Sequence, residues 1–346
     1  MGQIPEARDM RSLLLIPLAL LATAAHAQDG PTLARTLGER LAAEYVDPER
    51  GAKMRDALEQ FARTEEARRL EGDDLAQALE SVARSVYDDG HLNVAYSEEP
   101  LGEVDEASND ARFRAAMART NQGFRDVRVL AGNVGYMHIE TFAPIEGGMR
   151  AVEAAFAMVA ETDALVIDVR RSQGGAPEMV AEIVSRLIEG EPRLLNSFDW
   201  RNDEDEEYWS RVVTGAGYYG PDRPVYVVIG PRTVSASEAI AYELQALGRA
   251  RVVGERSAGA ANPGDSVKLG DHYEVFMPSG RAVNAITGTN WEGTGVVPDL
   301  PVDAEDAAVA AYRAALAQLA EQADEAGVAR LRRIAAGDMP TLAPAR

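Results

Sequence analysis

The 346-residue chain contains no cysteine. That absence excludes thiol nucleophiles, disulfides, iron–sulfur clusters and cysteine-ligated zinc. Lysine is nearly missing too, with Lys53 and Lys268 the only two. A lysine general base would have to be one of them. Histidine is scarce and dispersed, at His26, His91, His138 and His272. No metal-ligand spacing is formed, so neither a metal site nor a cofactor is expected. Positive charge is also in deficit, and the net charge is −21. Such a surface repels phosphate backbones and anionic lipid heads, which argues against nucleic-acid partners and membrane-surface binding. Aromatic residues make up 6%, which gives little support for a large apolar ligand pocket. No apolar run reaches the roughly 20 residues of a membrane span.

Hydrophobic residues reach 46%, enough for a folded core in one large domain or two smaller ones. Near the N-terminus, Arg8 and Arg11 precede the apolar run LLLIPLALLATAA, and Ala25-His26-Ala27 has the small-x-small form of a cleavage site. This pattern predicts a signal peptide over residues 1–27 and a periplasmic or secreted protein, with an uncleaved anchor as the alternative. After processing no integral membrane segment is expected.

Residues 28–98 read as an N-terminal helical domain, with Leu75, Leu79, Val82 and Val86 on one helical face and a short strand after His91. Residues 99–132 read as a connector. From there strands alternate with helices, and Ala164–Val169 and Val225–Ile229 are continuous apolar runs of the kind buried strands show. An α/β core is expected over 133–302, followed by an Ala-rich helical tail over 303–346.

Four segments could carry chemistry. Thr233-Val-Ser-Ala-Ser-Glu238 joins a buried strand to a helix. A serine there lies near exposed N–H groups and the positive end of the helix dipole, which suits attack on a carbonyl. The same Ser235-x-x-Glu238 spacing is also a capping box. Asp168-Val-Arg-Arg-Ser-Gln-Gly-Gly175 ends a strand in adjacent glycines, whose backbone can approach a ligand closely or simply turn. His91 follows Asp88-Asp-Gly in a loop and is the best-placed candidate base, because His138 lies in an apolar strand and His272 in a polar turn. Glu292 follows Trp291, where it could be partly buried and orient an imidazole, or be a surface residue in a glycine turn. Gly215-Ala-Gly-Tyr-Tyr-Gly220 spells a dinucleotide fingerprint, but Pro221 and Pro224 forbid the helix that such a site needs. No G-x-S-x-G elbow occurs.

The stretches DDGHLNVAY, NVGYMHIETF, ALVIDVRRSQGG, TVSASEA, VVGERSAGAANPG and NWEGTGVVPD, in this order, resemble the tail-specific (C-terminal processing) serine protease family. The likeness extends to its branch related to interphotoreceptor retinoid-binding protein and the tricorn protease core. The resemblance implies a crotonase-like core of ββα units with a helical N-terminal domain. It implies Ser235 as nucleophile, and as oxyanion donors the amides of Gly174 or Gly175 and of Ala236. The family's dyad lysine position holds Ala260 here, so the resemblance points instead to the tricorn-like set, with His91 as base and Glu292 as its orienting partner. The position preceding that histidine, a serine in the tricorn-like set, is Gly90 here. There is no room for the family's PDZ domain between Tyr96 and Val134.

The expected function is an exported serine peptidase that hydrolyses peptide or unfolded-protein substrates, in a form compatible with a homo-oligomer. A non-catalytic module that binds apolar ligands or peptides on the same fold is the alternative.

Overall fold

The computed structural model describes residues 29–102, 114–215, 217–337 and 339–342. The expected signal peptide lies outside the described residues. Four helices open the described chain: α1 (Gly30–Glu44), α2 (Pro48–Phe61), α3 (Glu65–Arg69) and α4 (Gly72–Arg84). Asp29, Asp47 and Thr64 cap the first three by accepting N–H groups that the first turn leaves unpaired. Leu33, Leu37, Leu41, Met54, Leu58 and Leu79 are fully buried between them.

This helical unit is completed by residues far away in sequence. Strand β1 (Asn93–Tyr96) pairs antiparallel with β10 (Tyr273–Pro278), which pairs with β9 (Gly264–Lys268). Leu92, Val94, Val275 and Met277 from this small sheet join the core of the N-terminal helices.

The main sheet has six strands in the order β12-β8-β7-β4-β3-β2. These are β2 (Phe124–Leu130), β3 (Val134–Ile139), β4 (Ala164–Asp168), β7 (Val225–Ile229), β8 (Arg251–Gly254) and β12 (Leu300–Pro301). All neighbours run parallel except β2 and β3. Alternate side chains leave the two faces of each strand. Leu165, Ile167, Val227 and Ile229 face α5 (Ile145–Val159), α6 (Pro177–Ser185) and α7 (Ala236–Ala246). Tyr136, Val166, Tyr226 and Val228 face α8 (Ala304–Glu321). Burial on both faces is why these strands read as unbroken apolar runs. A third sheet, in the order β11-β5-β6, is built from β5 (Leu194–Trp200), β6 (Glu206–Trp209) and β11 (Gly280–Asn284).

Two segments are more integral than their composition suggested. The end of the expected connector, where Val127-Arg-Val-Leu130 has the pattern of a strand, belongs to the edge strand 124–130 of the main sheet, because Phe124 and Leu130 are buried and the backbone pairs with β3. The Ala-rich stretch over 304–321 is a core layer, with Ala307, Ala308, Ala311, Tyr312, Ala315 and Leu316 packed on the sheet. Small alanines let this helix approach the strands closely. The last helix, α9 (Glu325–Ala336), has no buried residue.

Candidate active site

The parallel strands β4 and β7 both end in loops at one rim of the sheet, where ligands bind in open α/β folds. After β7, Thr233 locks the turn, since its hydroxyl donates to the Val169 carbonyl at 2.9 Å and accepts the Gly230 N–H at 3.0 Å. Ser235 follows at φ 60° and ψ −128°, immediately before α7. That backbone region is costly for a residue with a Cβ, by about 1–3 kcal/mol, and such strain gathers at functional sites. The Glu238 carboxylate holds it in place by accepting the Ser235 N–H at 2.9 Å.

Glu238 is fully buried and does more than cap. It also accepts from the Ser257 hydroxyl at 2.6 Å, the Gly259 N–H at 2.6 Å and the Ala260 N–H at 2.9 Å. Burial pushes its pKa up, and these donors oppose the shift. The sequence reading assigned it only a capping role.

Ser237 has no access to substrate. It is fully buried, and its Oγ accepts the Gly174 N–H at 2.9 Å. That bond also occupies Gly174, one of the two amides expected to serve an oxyanion. The N–H groups of Gly175 and Ala236 donate to no other described residue. Both glycines have positive φ, 87° and 135°. A Cβ on Gly174 would stand 2.7 Å from the Ser235 Cβ, and one on Gly175 would stand 2.1 Å from the Phe142 carbonyl oxygen. Only glycine permits this approach of the β4 loop to Ser235.

His91 and Ser235 line the same cavity, of about 470 Å³. The His91 ring stacks against Phe276 at 5.5 Å, and its Nδ1 is buried without a hydrogen-bond partner. Desolvation lowers its pKa below the ordinary histidine value, against the opposing pull of Asp89. Asp89 is fully buried. It accepts the His91 backbone N–H at 2.9 Å, the Tyr45 hydroxyl at 2.9 Å and the Asn262 side-chain amide at 2.9 Å. Asp89, Tyr45 and Asn262 thus fix the histidine loop, and none of them was singled out from sequence. An acidic residue beside a glycine was the only signal.

Glu292 packs against the backbone of Ala261 and Asn262. One oxygen accepts the Ala261 and Asn262 N–H groups at 2.7 and 3.2 Å, while Oε1 is buried and unpartnered. It makes no hydrogen bond to His91. Burial, reinforced by Asp89, pushes its pKa up to about 7. Trp291 beside it is buried and donates its indole N–H to the Ala260 carbonyl at 3.1 Å.

Ala260 occupies the position where the resembled family carries its lysine. It is fully buried, and Gly90 packs on it so closely that a Cβ on Gly90 would lie 2.8 Å from the Ala260 Cβ. Lys268 is not among the residues lining the cavity. Its Nζ donates to the Leu101 and Gly102 carbonyls at 2.6 and 3.3 Å. His138 is buried in β3 opposite Asp168. His272 bonds the Ser97 carbonyl at 2.9 Å through Nδ1. Among the described residues no cluster of His, Asp and Glu suits a metal.

Residues 133–302, which hold Ser235, both glycines and Glu292, match the family model of peptidase family S41. This segment is a peptidase family S41 domain. The chain is 30% identical over 164 residues to the carboxy-terminal processing protease CtpB of Bacillus subtilis (strain 168), covering 45% of this chain and 33% of that protein. It is 24% identical over 181 residues to the carboxy-terminal-processing protease of Bartonella bacilliformis (strain ATCC 35685 / KC583 / Herrer 020/F12,63), covering 50% of this chain and 39% of that one. The matched parts are therefore well under half of those relatives' own lengths. In structure the chain is similar to the photosystem II D1 C-terminal processing protease, with a TM-score of 0.50, 15% identity, and coverage of 80% of this chain and 94% of the other. At that identity the likeness is one of fold. His91 lies outside the matched S41 segment, on the N-terminal unit.

Proposed function

We propose that this chain is an exported serine peptidase that cleaves peptide bonds through an acyl-enzyme on Ser235. The observation that carries the reading is the shared cavity. A serine in strained backbone at a helix start, two undonated N–H groups at Gly175 and Ala236, and a half-buried imidazole whose Nδ1 is unpartnered all converge on it.

The steps follow from the groups present. The Ser235 hydroxyl attacks the substrate carbonyl while His91 takes its proton. The Gly175 and Ala236 N–H groups stabilise the oxyanion, helped by the positive end of α7. His91 then returns the proton to the leaving amine, and water attacks the acyl-enzyme by the same route. Burial favours neutral His91, the form a base must have. Asp89 is the carboxylate whose charge acts on the imidazole, and Glu292, with its buried and unpaired Oε1, is assigned the orienting role once the ring moves to meet it. Export rests on the signal-peptide pattern of residues 1–27. Among the described residues no helix is long and apolar enough to cross a membrane.

The test is hydrolysis of a mixed peptide library, with products read by mass spectrometry. Cleavage by the native chain and none by Ser235→Ala is expected. Equal cleavage by both would end the reading.

A further inference from the structure

The cavity extends beyond the reacting groups, along α7. Ala236, Ala239 and Glu243 line it at i, i+3 and i+7, one face of the helix. The two alanines leave space, and the glutamate lies one to two turns further along the same face. Eight residues of helix separate Glu243 from Ser235, a rise of about 12 Å. The Glu243 side chain leans back toward the N-terminus, as helical side chains do, which shortens the gap.

Glu243 is 4% exposed, and its Oε2 has no hydrogen-bond partner. Asn196, which lines the same cavity, is 3% exposed, and its Oδ1 is also without a partner. A native interior rarely leaves such atoms unpaired, and each needs an explanation. The rings of Phe198 and Trp291 are also part of the lining. Two more carboxylates, of Glu178 and Glu206, line the cavity, and no arginine or lysine does.

We propose that this cavity is a side-chain subsite selecting lysine or arginine in the substrate, with Glu243 and Asn196 as the acceptors for its cationic tip. The proposal deepens the peptidase reading and rests on it for the role of Ser235. A long aliphatic stem suits the aromatic walls, and a tip made only of donors suits two orphan acceptors. Alone, burial pushes the Glu243 pKa up to about 8, the mark of an uncompensated carboxylate. A cation in contact removes that cost. A short aliphatic side chain would leave both acceptors dry. A free peptide carboxylate here would face the carboxylates of Glu178, Glu206 and Glu243 with no arginine or lysine in the lining to pair it, so the site disfavours recognition of a chain terminus. The net charge of −21 favours basic peptides in the same sense.

The experiment separates the subsite from the chemistry. Fluorescent peptides that differ only in arginine or norleucine at one position are titrated against Ser235→Ala, and against Ser235→Ala combined with Glu243→Gln. At least tenfold tighter binding of the arginine peptide is expected, with the ratio collapsing toward one in the double variant. Equal affinities in Ser235→Ala, or a ratio untouched by Glu243→Gln, overturn the subsite. Cleavage by the native chain is measured separately. Preferential binding without cleavage removes the peptidase reading and leaves the subsite standing. Cleavage without preference does the reverse.

Discussion

One oxygen of Glu238 accepts the Ser235 N–H and the Ala260 N–H, each at 2.9 Å. The Ser235 backbone and the loop that packs on Gly90 are therefore held by the same carboxylate. Gly90 precedes His91, so Glu238 positions both partners of the proposed proton transfer without touching substrate. Removing it leaves several buried donors unsatisfied, at about 1–3 kcal/mol each. Glu238→Ala is expected to lose at least about 3 kcal/mol in denaturant unfolding. Glu238→Gln keeps the shape but loses an acceptor, and a smaller loss of stability with a clear fall in kcat is expected. If kcat is unchanged in a folded Glu238→Gln, the shared carboxylate does not set the geometry.

Gly174→Ala tests the close approach. The new Cβ would stand 3.1 Å from the Ser235 Oγ, at a φ of 87°. Activity should fall at least about a hundredfold, as when an oxyanion donor is lost, because Gly175 next to it is displaced. Gly175→Ala should lose as much activity and more stability, since its Cβ would meet fixed backbone at Phe142. Thermal unfolding beside kcat/KM distinguishes the two.

The pH profile follows from two shifted groups. His91 must be neutral and Glu292 ionised, so each must lose a proton and activity rises with pH. Burial lowers the His91 pKa, which places that limb below the usual 6.5. Burial raises Glu292 to about 7, which places the upper limb there. Glu292→Gln is expected to remove the limb near 7, leave the lower one, and reduce the plateau about tenfold or more. A native profile flat between pH 6 and 8 would show that Glu292 takes no part.

Much of this architecture is written in local pattern. The apolar runs at 164–168 and 225–229 announce buried parallel strands, and Ser235, His91 and Gly175 stand out as reactive types in loops beside them. The supporting carboxylates are silent for a physical reason. Glu238 and Glu243 lie on α7, whose buried positions surround the helix, so no polar face marks them as inward. Whether an acidic residue in such a helix is satisfied, as Glu238 is, or left unpaired, as Glu243 is, depends on loops 20 to 50 residues away in sequence. The same holds for Asp89, whose partners Tyr45 and Asn262 lie 44 and 173 residues away in sequence.

Glu243 also makes a prediction about stability. Its pKa is about 8 in the folded chain, above the 4.5 of the exposed group. The folded state then binds the proton more tightly, so its contribution is present below pH 4.5 and is lost as pH rises toward 8. Glu243→Gln has no such dependence. The variant is expected to gain Tm relative to the native chain as pH rises, by at least about 2 °C between pH 5 and pH 9. A constant difference would mean that Glu243 is already compensated.

The central claim is that Ser235 is the nucleophile, activated by His91. It is tested most directly by labelling the folded chain with a serine-directed fluorophosphonate and mapping the adduct by mass spectrometry. The adduct should sit on Ser235, should vanish in Ser235→Ala, and should form at least about a hundredfold more slowly in His91→Ala while Lys268→Ala labels at the native rate. An adduct on Ser237, or a Lys268→Ala chain that resists labelling beside a fully reactive His91→Ala, would contradict it.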